Sequence, residues 1–277
     1  MSHEIDLESA ACPNDTEDQK RLFEVIKAGL QRPGDAPTKA AALADDLRTL
    51  GEARKSRDEA PEFIEELCAM LVGIPRLLPP DHPWQDTLVQ AVQNLQQTNG
   101  NVGEFNEDED LDWKNLPQLG IFMRDYWYDP TLRDGWTPED VSDWQNLNSF
   151  AARLLTNSFA PWLNFPLWQL REALEEKLDK GLILDSRLWI ATEWILCCGD
   201  IFFKYQTSEE ELDEGTARAL RGGSLCEGIA PLGFERLAFW KKRFLEIFSE
   251  REALGLSDDL AERVAKSAEK IGKFESR

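Results

Sequence analysis

Apolar residues recur three and four positions apart along almost the whole chain, the spacing of one face of an α-helix. Leu22, Val25, Ile26 and Leu30 follow Thr16 and Gln19, which read as a capping box, and Pro33-Gly34 closes that helix. A second helix starts near Pro37-Thr38 and carries Leu43, Leu47 and Leu50. Pro61 opens a third, with Phe63, Ile64, Leu67, Met70, Leu71 and Ile74 inward, and Pro75 and Pro79-Pro80 end or kink it. A fourth runs from about Trp84 to Gln97. Beyond the gap come helices bearing Leu119, Phe122, Met123 and Tyr126; then Val141, Trp144, Leu147, Phe150 and Leu154; then Leu167, Leu170, Leu174 and Leu178. Thr137-Pro138-Glu139-Asp140 is a strong helix start: a capping hydroxyl, a first-turn proline and two acids at the positive dipole end. Residues 185–206 are apolar nearly all round and predict a central buried helix. A helix over about 233–254 and one capped by Ser257-Asp258-Asp259 complete the series.

No alternating strand pattern of useful length occurs. The prediction is an all-α fold: a single multi-helix bundle of about ten helices with no sheet. Residues 1–16 form a flexible N-terminal arm, and 17–277 one helical domain made of N-terminal helices (17–97), an acidic loop (98–112) and a helical core (113–277). Asn99-Gly100-Asn101 is turn chemistry, and the carboxylates from Glu107 to Asp110 read as solvated loop rather than calcium site. On the helix after Pro166, Arg171, Glu172, Glu175 and Glu176 read as a solvent-facing polar side.

The chain's 277 residues contain 52 acids against 31 basic residues, a net charge of -21. Such a field repels phosphate backbones and anionic lipid, which disfavours a nucleic-acid partner or a membrane surface. No membrane-spanning run and no leader peptide are readable, and Cys12, Cys68, Cys197, Cys198 and Cys226 form no C-x-x-C pair. The expectation is a cytoplasmic protein with reduced thiols and no membrane insertion. The two histidines, His3 and His82, sit in the arm and in a loop, where neither supports a zinc site or a nucleophile–His pair. Walker, dinucleotide and H-E-x-x-H patterns are absent, and Gly222-Gly223 is too isolated for a phosphate loop. No metal and no cofactor are expected.

What the chain does offer is aromatic. Eight of its ten tryptophans lie between residues 113 and 194. They can be core filler, since an aromatic buries about 150–250 Å², or they can line a pocket for an apolar small-molecule substrate. Tyr126, Trp127, Trp144, Phe150, Trp189, Trp194 and Trp240 are the candidate substrate-binding residues. Arg153, Glu193 and Arg236 are the candidate catalytic ones, because each is a charge embedded among aromatics. Buried charges pair, so Arg153 or Arg236 with Glu193 or Asp200 is the economical pairing.

Four blocks add a family likeness: Trp144…Leu147-Asn148…Phe150-Ala151-Ala152-Arg153-Leu154, Leu167-Trp168…Leu170-Arg171…Ala173-Leu174-Glu175, Ala191…Trp194-Ile195…Gly199, and Glu235-Arg236…Phe239-Trp240-Lys241…Arg243-Phe244. Over about residues 140–250 they resemble a fungal family of helical proteins of unknown function. The resemblance implies a fungal source and a place in secondary metabolism. Helical proteins of that kind include cofactor-free cyclases, among them the hetero-Diels–Alderases of tropolonic sesquiterpene biosynthesis. The implied activity is a pericyclase joining a quinone methide or enone to a terpenoid alkene. Such a reaction needs orientation and a donor on the developing oxyanion, which Arg153 or Arg236 could supply, with Glu193 assisting a prior dehydration. The alternative is a non-catalytic helical binding or interaction protein with a tryptophan-rich core.

Overall fold

The computed structural model describes residues 5–11, 14–54, 59–97, 102, 112–114, 116–156, 162–208 and 211–276. Cys12, His3 and the run from Glu107 to Asp110 lie outside them, as does most of the 98–112 loop. Among the described residues the fold is all-α, with twelve α-helices, ten of them of seven residues or more, and no sheet.

The chain divides into two compact units, residues 1–150 and 151–277. In the first unit α1 (Glu17–Gln31) and α4 (Pro83–Gln96) both pack on α2 (Ala36–Glu52). There α3 (Glu59–Arg76) packs on α5 (Pro117–Asp125). Sequence chemistry sets the ends. Thr16 Oγ1 accepts from Gln19 N at 3.1 Å while Gln19 Oε1 accepts from Thr16 N at 2.9 Å, a reciprocal cap that satisfies two otherwise orphaned donors. The stripe predicted for α1 is buried at Leu22, Ile26 and Leu30. Pro75 is accommodated inside α3, which ends one residue later at Arg76.

The boundary between units falls within α6 (Pro138–Thr156). In the second unit α7 (Asn164–Leu170) precedes α8 (Gly181–Gln206), whose apolar surround is buried at Leu188, Ile190, Trp194, Ile195, Phe202 and Phe203. After the short α9 (Glu214–Ala219), α10 (Phe234–Ser249) and α12 (Asp258–Glu275) pack on each other and on α8. The helix expected over 233–254 is interrupted: Glu250 leaves helical geometry, α11 (Arg251–Leu254) adds one turn, and Gly255 turns the chain at φ 72°. Burying each large apolar side chain of this triad stabilises the unit by roughly 1.5–3 kcal/mol. No helix among the described residues is long and apolar enough to cross a membrane.

Candidate functional site

The second unit holds a buried charge cluster. After α7 the helix widens into a π-helical turn, residues 171–175. The i→i+5 ladder carries successive residues further around the axis than an α-helix does. Ala173, Leu174 and Glu175 all turn inward as a result, and Glu175 is 0% exposed. This corrects the reading of Glu175 as solvent-facing. It also corrects the pairing expected for Arg236, whose partner is Glu175. Arg236 Nε donates to Glu175 Oε1 at 2.7 Å and Nη2 to Oε2 at 3.0 Å. Nη1 donates to the carbonyls of Leu220 at 2.6 Å and Pro231 at 2.9 Å. Trp240 Nε1 donates to Oε1 at 2.6 Å, and Gly223 N to Oε2 at 2.7 Å. Each oxygen of the carboxylate thus accepts two hydrogen bonds, and every guanidinium nitrogen is engaged.

Around this clasp the segment after α9 is tied down. Glu176 accepts from Ser224 N at 3.1 Å and from Ser224 Oγ at 2.6 Å. Gly223 has no space for a side chain: a Cβ there would lie 2.5 Å from Glu176 Oε1 and 2.8 Å from the Glu175 carbonyl. The glycine pair is therefore a close-approach device, with the Gly223 and Ser224 N–H groups turned into carboxylates. Outside it lies an open cleft of about 630 Å³, lined by Arg171, Glu172, Glu176, Arg221, Ser224 and Glu227 among others. The Cys226 thiol on its lining is 1% exposed. Burial pushes it up to about 11, too high for a ready thiolate.

Glu193 pairs elsewhere in this unit: Arg263 Nη2 donates to its carboxylate at 2.7 Å. The same guanidinium covers the Trp189 ring at 4.7 Å. Arg153, half-buried near the end of α6, and Glu193 both act on the Cys197 thiol, which burial raises above its ordinary range. Asp200 lies 3.6 Å from Lys270 Nζ. Trp194 and Trp240 are fully buried, Trp240 stacked on Phe202 at 5.8 Å and 21°. Of the candidate residues in this unit, the fold brings Arg236 and Trp240 together on a common carboxylate.

The first unit holds a different arrangement. Phe150 is fully buried and Trp144 nearly so, with Trp127 edge-on to Trp144 at 4.8 Å. Tyr126 is 47% exposed and lines an open cleft of about 260 Å³ together with Arg76, Tyr128, Arg133, Trp136 and Asp140, with Asp125 and Asp134 also on its lining. Turn chemistry builds its walls. Asp129 Oδ1 accepts from Thr131 N at 2.8 Å and from Thr131 Oγ1 at 2.7 Å, shaping a single 3₁₀ turn that begins at Pro130. Gly135 supplies a left-handed residue at φ 80°. Asp140 Oδ2 then accepts from Thr137 N at 2.8 Å and Thr137 Oγ1 at 3.0 Å, and these bonds hold its carboxyl below the ordinary value of 3.8. Asn146 Nδ2 fixes the end of α3 by donating to the Arg76 carbonyl at 2.7 Å. The Arg133 guanidinium lies 4.2 Å over the Tyr128 ring. Neither Arg76 nor Arg133 has a carboxylate within ion-pair distance among the described residues, but both act on Asp140 at longer range, and Arg76 also acts on half-buried Asp143.

Three rings and two guanidiniums converging on one concavity can stack a flat molecule and donate to its oxygens. Sequence reasoning found Tyr126 here, but missed Arg76, Arg133 and Trp136. A signal for Arg133 and Trp136 was available in the turn-rich run between Asp129 and Asp140, but none for Arg76, which comes from the end of α3. Among the described residues no group of three or more His, Cys, Asp or Glu side chains could hold a metal ion.

Compared with known proteins, residues 69–244 match a family described as a protein of unknown function, DUF3632. The match begins well before the blocks quoted from the sequence and takes in Arg76 and the whole 126–140 cleft. No curated protein and no solved structure matches the chain.

Proposed function

The chain belongs to the DUF3632 family of proteins of unknown function, a membership that brings no activity with it, and we propose that it is a small-molecule-binding protein whose ligand occupies the Tyr126–Tyr128–Trp136 cleft. One observation carries the reading: Arg76 and Arg133 line the same cleft as Tyr126, Tyr128 and Trp136, and among the described residues neither guanidinium has an acid within ion-pair distance, although both act on Asp140 at longer range. At about 260 Å³ the cleft sits near the small end of ligand pockets, which run roughly 300–1,000 Å³. Its ligand is a compact, planar, oxygenated molecule rather than a purely apolar one.

A pericyclase of the hetero-Diels–Alder kind, acting in fungal secondary metabolism, is the catalytic form of this reading. Arg76 or Arg133 would then donate to the enone oxygen in place of Arg153 or Arg236. Binding without chemistry is preferred on two counts. Arg236 has its nitrogens committed to Glu175 and two carbonyls. The ring-walled cleft is open and edged with Asp125, Asp134 and Asp140, whereas a cycloaddition gains most from enclosing two apolar partners.

A thermal-shift screen of small oxygenated aromatics, followed by calorimetric titration of hits, tests the proposal. Saturable binding that is lost in Tyr128→Ala and Trp136→Ala is the expected result. Binding by none of the compounds, or binding that survives both substitutions, would refute it. Product formation from an enone and an alkene above the no-protein rate would move the assignment to the catalytic form.

A further inference from the structure

We propose that the molecule held in the Tyr126–Trp136 cleft carries an oxyanion on a flat ring, a carboxylate or a phosphate, taken between Arg76 and Arg133; this rests on the binding assignment above. The argument starts from charge. The chain carries 52 acids and 31 basic residues, so many of its arginines have a carboxylate neighbour. Arg32, Arg48, Arg54, Arg187, Arg243 and Arg263 each sit within 3.4 Å of one. Arg76 and Arg133, like Arg21 and Arg221, have no acid within ion-pair distance among the described residues, and these two share one cleft with three aromatic rings.

Both guanidiniums act on Asp140, and Arg76 acts on half-buried Asp143, but neither arginine has an acid within ion-pair distance among the described residues. Asp140 directs Oδ2 to the Thr137 N–H and hydroxyl. Asp125 lies 3.9 Å from Arg124, on the exposed end of α5. Asp134 is exposed beside the Gly135 turn. The guanidinium forks therefore keep donors for an incoming group, and the fork geometry matches two oxygens of a carboxylate or phosphate. Stacking on Tyr128 fixes the plane of the Arg133 fork before a ligand arrives, which reduces the ordering cost of binding. Tyr126 and Trp136 supply the neighbouring ring surfaces, so the anion and the ring it belongs to are recognised together.

Calorimetric titration with three matched probes tests the inference: indole-3-acetate, phenyl phosphate and the neutral indole-3-acetamide. Each is run against the wild-type chain, Arg76→Gln and Arg133→Gln, with far-UV circular dichroism confirming that the variants are helical. At least one of the two anions is expected to bind roughly tenfold or more tightly than the amide. Each arginine variant should remove about tenfold of that affinity and weaken amide binding by distinctly less, since a neutral carbonyl gains less from a guanidinium than an oxyanion does. The ratio of the two anions separates a carboxylate from a phosphate ligand. Equal binding of acid and amide would overturn the oxyanion and leave the binding cleft standing. An anion preference untouched by both substitutions would overturn this location. Binding of none of the probes, together with an empty aromatic screen, would overturn both assignments.

Discussion

Glu175 decides how the second unit is held together. Its carboxylate is fully buried and gathers Arg236 and Trp240 from α10 and Gly223 from the segment after α9. Removing one member of a buried pair leaves the other charge uncompensated, at a cost of about 3–5 kcal/mol. Glu175→Gln should lower stability by that amount in urea titration, and adding Arg236→Met should recover part of it. A loss under 1 kcal/mol would mean that the pair is dispensable. Gly223→Ala should cost about 1–3 kcal/mol by the same measurement, because its Cβ would drive into Glu176 and the Glu175 carbonyl. None of this was legible along the sequence. Glu175 sits in a run of charges whose α-helical spacing points outward, and a π-turn leaves no periodic signature to reveal the rotation. Arg236 was legible as a charge among aromatics, though its partner was not.

At the scale of elements the sequence was far more transparent, because local chemistry sets helix ends. The Thr16 box, Ser257 at the start of α12 and the Thr137–Asp140 pair all act as their residue types require. The last of these also makes a titration prediction. The folded carboxyl of Asp140 is depressed, so its contribution to stability is present above the ordinary value of 3.8 and is lost as pH falls through the lower, folded value. Carbon-detected NMR titration should place Asp140 below 3.8, and Thr137→Ala should move it back up. An unchanged midpoint in the variant would show that the hydroxyl contributes nothing to the depression. The elements misjudged were those that break period without a proline. The long helix expected to 254 stops at Ser249, where the chain re-enters helix for a single turn before Gly255. The 126–140 run holds little regular helix, and its importance comes from side chains that turns, rather than periodicity, set around a cleft.

For the molecule as a whole, charge and aromatic content point to different things. Self-repulsion from a net charge of -21 should exceed the small gain from exposed ion pairs, each worth about 0–1 kcal/mol. Melting temperature is therefore expected to rise between 10 and 150 mM salt, as the Debye length shortens to roughly 8 Å; a fall would mean that ion-pair networks dominate. The aromatic residues were legible as a class but not by role. Trp113, Trp194 and Trp240 are buried core, while Tyr126, Tyr128 and Trp136 face the cleft. Nothing in their spacing separates the two groups, since burial is decided by tertiary packing. The claim that the protein is a binder at this cleft is tested most directly by amide and arginine side-chain NMR shifts on titration with indole-3-acetate. Saturable shifts at Arg76, Tyr126, Tyr128, Arg133 and Trp136 are the predicted result; shifts confined to the Gly222–Ser224 segment, or none at saturating ligand, would contradict it.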